Sequence, residues 1–177
     1  MDRSVRIMDN YTWHYESPLG KMTMTCGRSA LTGLWFDGQK HFPDALPPEW
    51  CMPVFEETVR WLDLYFSGDI PDFTPAMEMK GSAFRKAVWG ILLTIPYGHT
   101  MTYGEIAEQI DGKTGFGRMS AQAVGGAVGH NPLSLIVPCH RVVGSDGSLT
   151  GYAGGMDKKA RLLQLEQTVI HKGEGKR

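Results

Sequence analysis

The sequence lacks most of the features that identify secreted, metal-binding or redox proteins. It contains three cysteines, Cys26, Cys51 and Cys139, which are widely spaced and odd in number. This pattern excludes a disulfide framework, and without a Cys-x-x-Cys pair it does not favour a zinc or dithiol redox site. His14 and Cys26 lie on separate predicted strands without the short spacing typical of zinc ligands, so we predict no metal site.

Long hydrophobic runs and a strong charge of either sign are also missing. Residues 1–6 lead into no apolar segment, so neither a signal peptide nor a membrane span is expected. The formal net charge is -1 at pH 7, which excludes general electrostatic attraction to nucleic acid. A DNA site would have to be a local patch, or consist of helix ends and backbone amides. With its thiols reduced, the protein is expected to be cytoplasmic.

What is present predicts an α+β fold. Residues 11–37 alternate as β-strands separated by turns, which predicts an antiparallel meander. Helical spacing of apolar residues covers 54–66, and the proline-containing segment 69–79 is predicted to be a linker strand. We therefore predict an N-terminal domain of residues 1–80 and a C-terminal domain of residues 81–177.

The C-terminal domain is predicted to be helical. Ser82 is a candidate N-cap for a helix over 83–93, whose apolar residues fall on one face. Thr102 and Glu105 have the spacing of a capping box, and a helix of small residues follows at 120–128. Two short helices in this order predict a helix-turn-helix.

Two glycines lie inside the second of these short helices, Gly125 and Gly126. Glycine in a helix interior costs about 1 kcal/mol relative to alanine, so the pair needs a reason. One reason is close packing of this helix against a neighbour. The other is that a helix without side-chain bulk can enter a groove deeply.

The segment Leu135–Val143 carries the chemistry, because Cys139 and His140 are adjacent in it between aliphatic runs. The runs predict that the pair is buried. An isolated buried thiol is inert, but His140 and Arg141 beside it favour the thiolate, which is the reactive form. Pro138 predicts a turn that lets neighbouring side chains act together. We predict that Cys139 is a nucleophile and His140 its base.

Five segments in order resemble the O6-alkylguanine-DNA alkyltransferases. The active-site signature is Pro138-Cys139-His140-Arg141, and the other four segments are Phe84–Gly98, Thr102–Ala107, Ala123–Pro132 and Gly151–Glu166. The similarity is close over residues 81–166 and looser before them, where the Ser17–Gly20 hairpin matches. It implies a ribonuclease H-like N-terminal domain with an antiparallel sheet, and a winged-helix-like C-terminal helix-turn-helix domain.

The resemblance implies direct repair of O6-alkylguanine, and of O4-alkylthymine, in double-stranded DNA. The damaged base would be flipped out of the duplex, and its alkyl group would move to Cys139. A thioether has no easy leaving group, so transfer would be irreversible and each molecule would act once. No cofactor and no membrane is implied, and we expect a monomer.

The resemblance also implies roles for individual residues. Glu166, on a final amphipathic helix predicted over residues 156–166, would orient His140 in a Cys-His-Glu version of the catalytic triad. Asn131 would be the hinge between the recognition helix and the active-site segment, and Tyr103 would rotate the 3′ phosphate. The predicted substrate-binding residues are Tyr103, Tyr152, Ala153, Lys159, Val137 and Pro138.

The helix of small residues would enter the minor groove, where little sequence information is available. The predicted DNA-binding residues are Gln122, Ala123, Gly125, Ala127, Arg118 and Arg141. Gln122 departs from the family pattern, in which an arginine precedes Ala-Val-Gly-Gly and fills the gap left by the flipped base. Glutamine lacks the charge and the stacking plane of arginine, and Arg118 could substitute for it.

Three alternatives use the same residues differently. A lesion-binding protein without transfer activity resembles relatives that lack the cysteine, and the presence of Cys139 disfavours it. A Cys-His hydrolase would need an oxyanion hole beside the thiol. A transcription regulator would need base-reading side chains on its recognition helix, which here is rich in alanine and glycine.

Overall fold

The N-terminal part of the protein is a three-stranded antiparallel sheet with a helix packed against it. The computed structural model describes residues 9–113 and 115–174, so residues 1–6, discussed above, lie outside the described residues. The strands are β1 (Tyr11–Ser17), β2 (Gly20–Cys26) and β3 (Leu31–Phe36), in the order β1-β2-β3. The predicted meander is confirmed, with Ser17 paired to Gly20 at the first turn.

Helix α1 (Pro53–Ser67) packs against this sheet through an apolar face that includes Phe55, Leu62 and Tyr65. It ends at Gly68, whose φ of 86° is the left-handed conformation that glycine adopts without a Cβ penalty. The capping N–H of Gly68 donates to carbonyls in the last turn of the helix.

The prediction of a linker strand over residues 69–79 is wrong. The segment is irregular and makes an isolated bridge between Met77 and Leu31. Pro71 and Pro75 have no backbone N–H to donate to a strand ladder, which accounts for the difference.

The C-terminal part is mainly helical, with two very short strands. Its elements are α2 (Ala83–Leu92), β4 (Met101–Thr102), α3 (Tyr103–Lys113), α4 (Ala121–Gly129), β5 (Val142–Val143) and α5 (Met156–Glu174). Strands β4 and β5 pair in parallel. Helices α2, α3 and α4 contact one another, and α3 and α4 form the predicted helix-turn-helix.

Local sequence signals set the starts of these helices. The Ser82 hydroxyl accepts from the backbone N–H of Arg85. Thr102 and Glu105 form a reciprocal capping box, in which each backbone N–H donates to the other side chain. No described helix is long and apolar enough to cross a membrane.

The sheet and the helices share one continuous hydrophobic core. Strand β3 also bonds directly to the segment that precedes the active-site residues. The Leu34 N–H donates to the Pro132 carbonyl at 2.8 Å, and the Ser134 N–H donates back to the Leu34 carbonyl at 2.9 Å. The N-terminal sheet therefore fixes the position of the chain that leads to Cys139.

Candidate active site

Cys139 begins a single 3-10 turn, Cys139–Arg141, directly after Pro138. The turn predicted at Pro138 is present, and Cys139 is 4% exposed. Upstream, the buried Leu135 has a φ of 71°. A left-handed conformation is costly for a residue with a Cβ, so packing around this segment must hold it in place.

Asn131 ties this loop together. Its Nδ2 donates to the Val137 carbonyl at 2.8 Å, and its Oδ1 accepts from the Leu133 N–H at 3.0 Å. The Asn131 side chain also lowers the pKa of the Cys139 thiol. Asn131 therefore couples the end of α4 to the cysteine, whereas its role as a hinge stays a prediction.

Burial raises the pKa of the Cys139 thiol above its ordinary value. The hydrogen bond from Asn131 and the charge of Lys159 act in the opposite direction but do not outweigh burial. The raised pKa therefore favours the protonated thiol. A neighbouring base has to remove the proton when the thiol reacts.

His140 is placed to be that base. The ring is completely buried, and its Nε2 lies 2.7 Å from Glu166 Oε1. Burial lowers the pKa of His140 in spite of the opposing Glu166 carboxylate, so the ring is neutral at neutral pH. Because Glu166 can only accept, Nε2 carries the hydrogen and Nδ1 carries a lone pair. Nδ1 has no hydrogen-bond partner among the described residues.

Glu166 lies at the centre of a fully buried network. Besides His140, its oxygens accept from Tyr65 Oη at 2.8 Å, the Gly98 N–H at 3.0 Å, and Arg141 Nε and Nη2 at 2.9 and 3.0 Å. Burial would raise the pKa of Glu166, but His140 and then Arg141 outweigh it and lower the pKa to about 2. The carboxylate is therefore charged at every physiological pH.

Gly98 can approach this carboxylate because it is a glycine. Its φ is 74°, and a Cβ at this position would collide with Ile170 on α5. The backbone of the 96–98 turn thus packs directly onto the helix that carries Glu166.

The structure does not support a DNA contact for Arg141. Its side chain is buried, with Nε and Nη2 donating to Glu166 and Nη1 donating to the Ile95 carbonyl at 2.7 Å. All three nitrogens have acceptors inside the protein, so a phosphate contact would leave a buried carboxylate unpaired. Arg141 holds Glu166 instead.

The predicted guanine pocket lies between α4 and the loop before α5. Tyr152 and Ala153 line a cleft together with Gln122 and Gly125. Tyr103 Oη donates to the Thr150 carbonyl at 3.0 Å, which places this ring beside the same loop.

Three other predicted pocket residues lie beneath this surface. Val137 and Pro138 are buried. Lys159 is fully buried, and its Nζ donates to the Val142 carbonyl and, at 2.7 Å, to the Thr150 carbonyl. Burial lowers the pKa of Lys159 to about 8. Lys159 thus braces the loop that carries Tyr152 and lies close enough to Cys139 to influence its charge.

Helix α4 presents a nearly smooth outer face. Gln122 and Gly126 are exposed, whereas Ala127 is 3% exposed and its carbonyl accepts from Trp89 Nε1. The predicted DNA contact at Ala127 therefore has to be corrected, because its side chain faces the core. Ala123 and Gly125 are half-buried at the edge of the outer face.

Close packing does not explain the two glycines. A Cβ at Gly125 would make ordinary contact with Tyr103, and one at Gly126 would meet no described atom within 4 Å. The glycines leave the outer face of α4 free of side chains. Arg118 is exposed but precedes the N-cap Ser120, so it lies on the approach to α4 and not on the helix.

Tyr65 is the site residue that sequence reasoning missed. Its apolar spacing in α1 marked it as a core residue, and nothing near it in sequence indicates that its hydroxyl meets a carboxylate on α5.

A helix-turn-helix packed around a buried Cys-His-Glu arrangement defines a class of DNA-binding proteins with a cysteine nucleophile. Two family models match the chain, the 6-O-methylguanine DNA methyltransferase ribonuclease-like domain over residues 10–76 and DNA binding domain over residues 83–168. The chain belongs to the O6-methylguanine DNA methyltransferase family.

Individual relatives agree with this assignment. The chain is 44% identical over 158 residues to the methylated-DNA--protein-cysteine methyltransferase of Mycobacterium tuberculosis, covering 88% of this chain and 93% of the relative. The Haemophilus influenzae protein of the same name is 37% identical, with 92% and 90% covered. The crystal structure of Mycobacterium tuberculosis OGT in complex with DNA matches with a TM-score of 0.78 at 42% identity, covering 90% of this chain and 94% of that one.

Proposed function

We propose that this protein repairs O6-alkylguanine in double-stranded DNA by moving the alkyl group to Cys139. The observation that carries the proposal is the orientation of the buried His140 ring. Its Nε2 is held by Glu166, while Nδ1 has no hydrogen-bond partner among the residues that the structure describes, and His140 follows Cys139 directly in the chain. A neutral, oriented imidazole beside a buried thiol is the arrangement that generates a thiolate on demand.

The transfer balances as a single displacement. His140 Nδ1 accepts the thiol proton, directly or through a water molecule, and Glu166 stabilises the resulting imidazolium. The sulfur then attacks the alkyl carbon, the S–C bond forms, and the C–O6 bond breaks. Guanine leaves as an anion and regains one proton, which balances the proton that Cys139 gave up. The thioether is stable, so each molecule acts once.

The smooth face of α4 supports DNA binding through the minor groove. With Gly126 exposed and no side chain there, the backbone can approach the base edges closely. We propose that the flipped base enters the cleft lined by Tyr152 and Ala153, and that Gln122 or Arg118 fills its place in the duplex. O4-alkylthymine is the second substrate that we propose.

Three broader expectations stay predictions. They are a domain boundary between residues 80 and 81, a cytoplasmic location, and a monomeric state. The free, widely spaced thiols support the second of these.

Intact mass after incubation with an O6-methylguanine duplex tests the proposal. The wild-type protein should gain the mass of one CH2, because a methyl group replaces the thiol hydrogen. Cys139→Ser should gain nothing. Cys51→Ser, which removes an exposed thiol, is the matched control and should gain as the wild type does.

An unmodified wild-type protein would contradict the proposal, as would a gain that survives in Cys139→Ser. Tight binding of the lesion duplex without a mass gain would favour a lesion-binding protein instead.

A further inference from the structure

Tyr65 brings a hydroxyl from the N-terminal part of the chain into the acceptor site. It is completely buried on α1, and its Oη donates to Glu166 Oε1 at 2.8 Å. Tyr65 Oη also lies 3.4 Å from His140 Nε2. We propose that Tyr65 is a positioning residue for alkyl transfer, whose hydroxyl shares Glu166 Oε1 with His140 and so moderates the hold of that carboxylate on the histidine. This inference rests on the proposed function.

The hydrogen bond has only one possible direction. An ionised carboxylate accepts and cannot donate, so Tyr65 must supply the hydrogen. Burial, followed by the charge of Glu166, raises the pKa of Tyr65 well above its ordinary value, which keeps the phenol protonated. Tyr65 is therefore a permanent donor to Glu166 over the whole working pH range.

The tyrosine shares one carboxylate oxygen with the histidine. Glu166 Oε1 accepts from Tyr65 Oη at 2.8 Å, from His140 Nε2 at 2.7 Å and from Arg141 Nη2 at 3.0 Å. Each donor withdraws negative charge from that oxygen and weakens its attraction for the others. Tyr65 therefore reduces the extent to which Glu166 favours a protonated His140.

The consequence concerns the availability of the base. The charged groups that act on His140 are Glu166, which raises its pKa, and Arg141 and Lys159, which lower it. Loss of the Tyr65 hydroxyl would strengthen the effect of Glu166 on the pKa of His140 and leave the effects of Arg141 and Lys159 as they are. His140 would then retain a proton to higher pH and could not accept one from Cys139.

The position of the hydroxyl is set by aromatic packing. The Tyr65 ring stacks on Trp61 with centroids 5.4 Å apart, and it meets Phe66, Tyr97 and His140 edge-on. A ring held on several sides cannot rotate its hydroxyl away from Glu166. The N-terminal part of the chain thus contributes directly to the geometry of the acceptor site.

Tyr65→Phe tests this inference because it keeps the ring and removes only the hydroxyl. Tyr97→Phe is the matched control, since the buried Tyr97 hydroxyl belongs to the same cluster and has no hydrogen-bond partner among the described residues. The single-turnover rate of methyl transfer from an O6-methylguanine duplex is measured from pH 5 to pH 9 for the full-length proteins. Thermal unfolding of each variant is recorded alongside.

We expect the acidic limb of the pH–rate profile of Tyr65→Phe to lie about one pH unit higher than that of the wild type. Below the limb the variant should transfer about tenfold more slowly than the wild type, and above it the two rates should agree within about twofold. An NMR titration of His140 should move in the same direction. Tyr97→Phe should reproduce the wild-type profile.

The inference is overturned if the Tyr65→Phe profile superimposes on that of the wild type, even with a lowered melting temperature, because that result describes packing alone. It is also overturned if Tyr97→Phe shifts the limb equally. Failure of the proposed function itself gives a different result, which is a wild-type protein without methyl transfer at any pH.

Discussion

Glu166→Gln removes the negative charge on which the buried network depends. Glu166 and Arg141 are both buried, and the carboxylate also accepts from Tyr65, Gly98 and His140. Removing one partner of a buried ion pair costs about 3–5 kcal/mol, because the other charge is left uncompensated. Glutamine has nearly the same shape as glutamate, but its NH2 group would face only hydrogen-bond donors and would find no acceptor. The similar shape therefore does not compensate for the lost charge.

The acid titration of Glu166 gives a second value for the contribution of its charge to the free energy of unfolding. Its pKa in the folded protein is about 2, against an ordinary value of 4.5. At about 1.4 kcal/mol for each pH unit, the difference corresponds to about 3 kcal/mol of stability at neutral pH. Because the folded pKa is depressed, this contribution is complete above pH 4.5 and is lost as the pH falls towards 2.

Urea unfolding of the wild type and of Glu166→Gln between pH 7 and pH 3 measures both predictions. The wild type should be more stable by about 3 kcal/mol at pH 7. The difference in free energy of unfolding between the two proteins should become smaller below pH 4.5, since a protonated Glu166 resembles glutamine. Glu108→Gln, on the exposed face of α3, is the control and should change stability by less than about 0.5 kcal/mol at pH 7.

Two results would refute this reasoning. One is a gap below about 1 kcal/mol at pH 7, which would mean that the network is not electrostatically coupled. The other is a gap that stays constant down to pH 3, which would mean that the charge of Glu166 is not its cause.

Two further predictions concern DNA engagement and the thiol. Gln122→Ala should slow repair of duplex DNA about tenfold and slow transfer from the free O6-methylguanine base much less. Arg118→Ala is measured in the same assay. Unchanged duplex rates in both variants would exclude a gap-filling role for either residue. Asn131→Ala should destabilise the protein by about 1–3 kcal/mol, because the buried Leu133 N–H loses its acceptor and the Val137 carbonyl keeps only its bond from the Cys139 N–H. It should also raise the pKa of Cys139, which thiol alkylation against pH in a Cys51→Ser background would detect; an unchanged alkylation profile would contradict the Asn131 contact.

The sequence by itself determined the elements whose causes are local. Alternation of side chains defined the three strands, and the hydroxyls of Ser82 and Thr102 marked helix starts that the structure confirms. The aliphatic residues around Cys139 predicted its burial, and Pro138 predicted the turn before it. These features depend on residues within a few positions of one another, so composition and spacing are sufficient to predict them.

Only the tertiary structure decided which distant groups meet. Arg141 follows His140 directly and was expected at the DNA, but α5 places Glu166 against it. Ala127 faces the core because the packing of α4 on α2 sets the rotation of the helix. Helix α5 also extends beyond its predicted end at residue 166 to Glu174, where Ile170 packs against the turn at Gly98.

The acidity of the thiol was decided in the same way. Cys139 has basic neighbours in sequence, yet burial in the assembled core outweighs them, and its pKa rises. Tyr65 reaches Glu166 although the two residues are 101 positions apart in the chain. Sequence spacing predicts which residues can react, whereas desolvation and long-range hydrogen bonds depend on packing between elements and exist only in the folded protein.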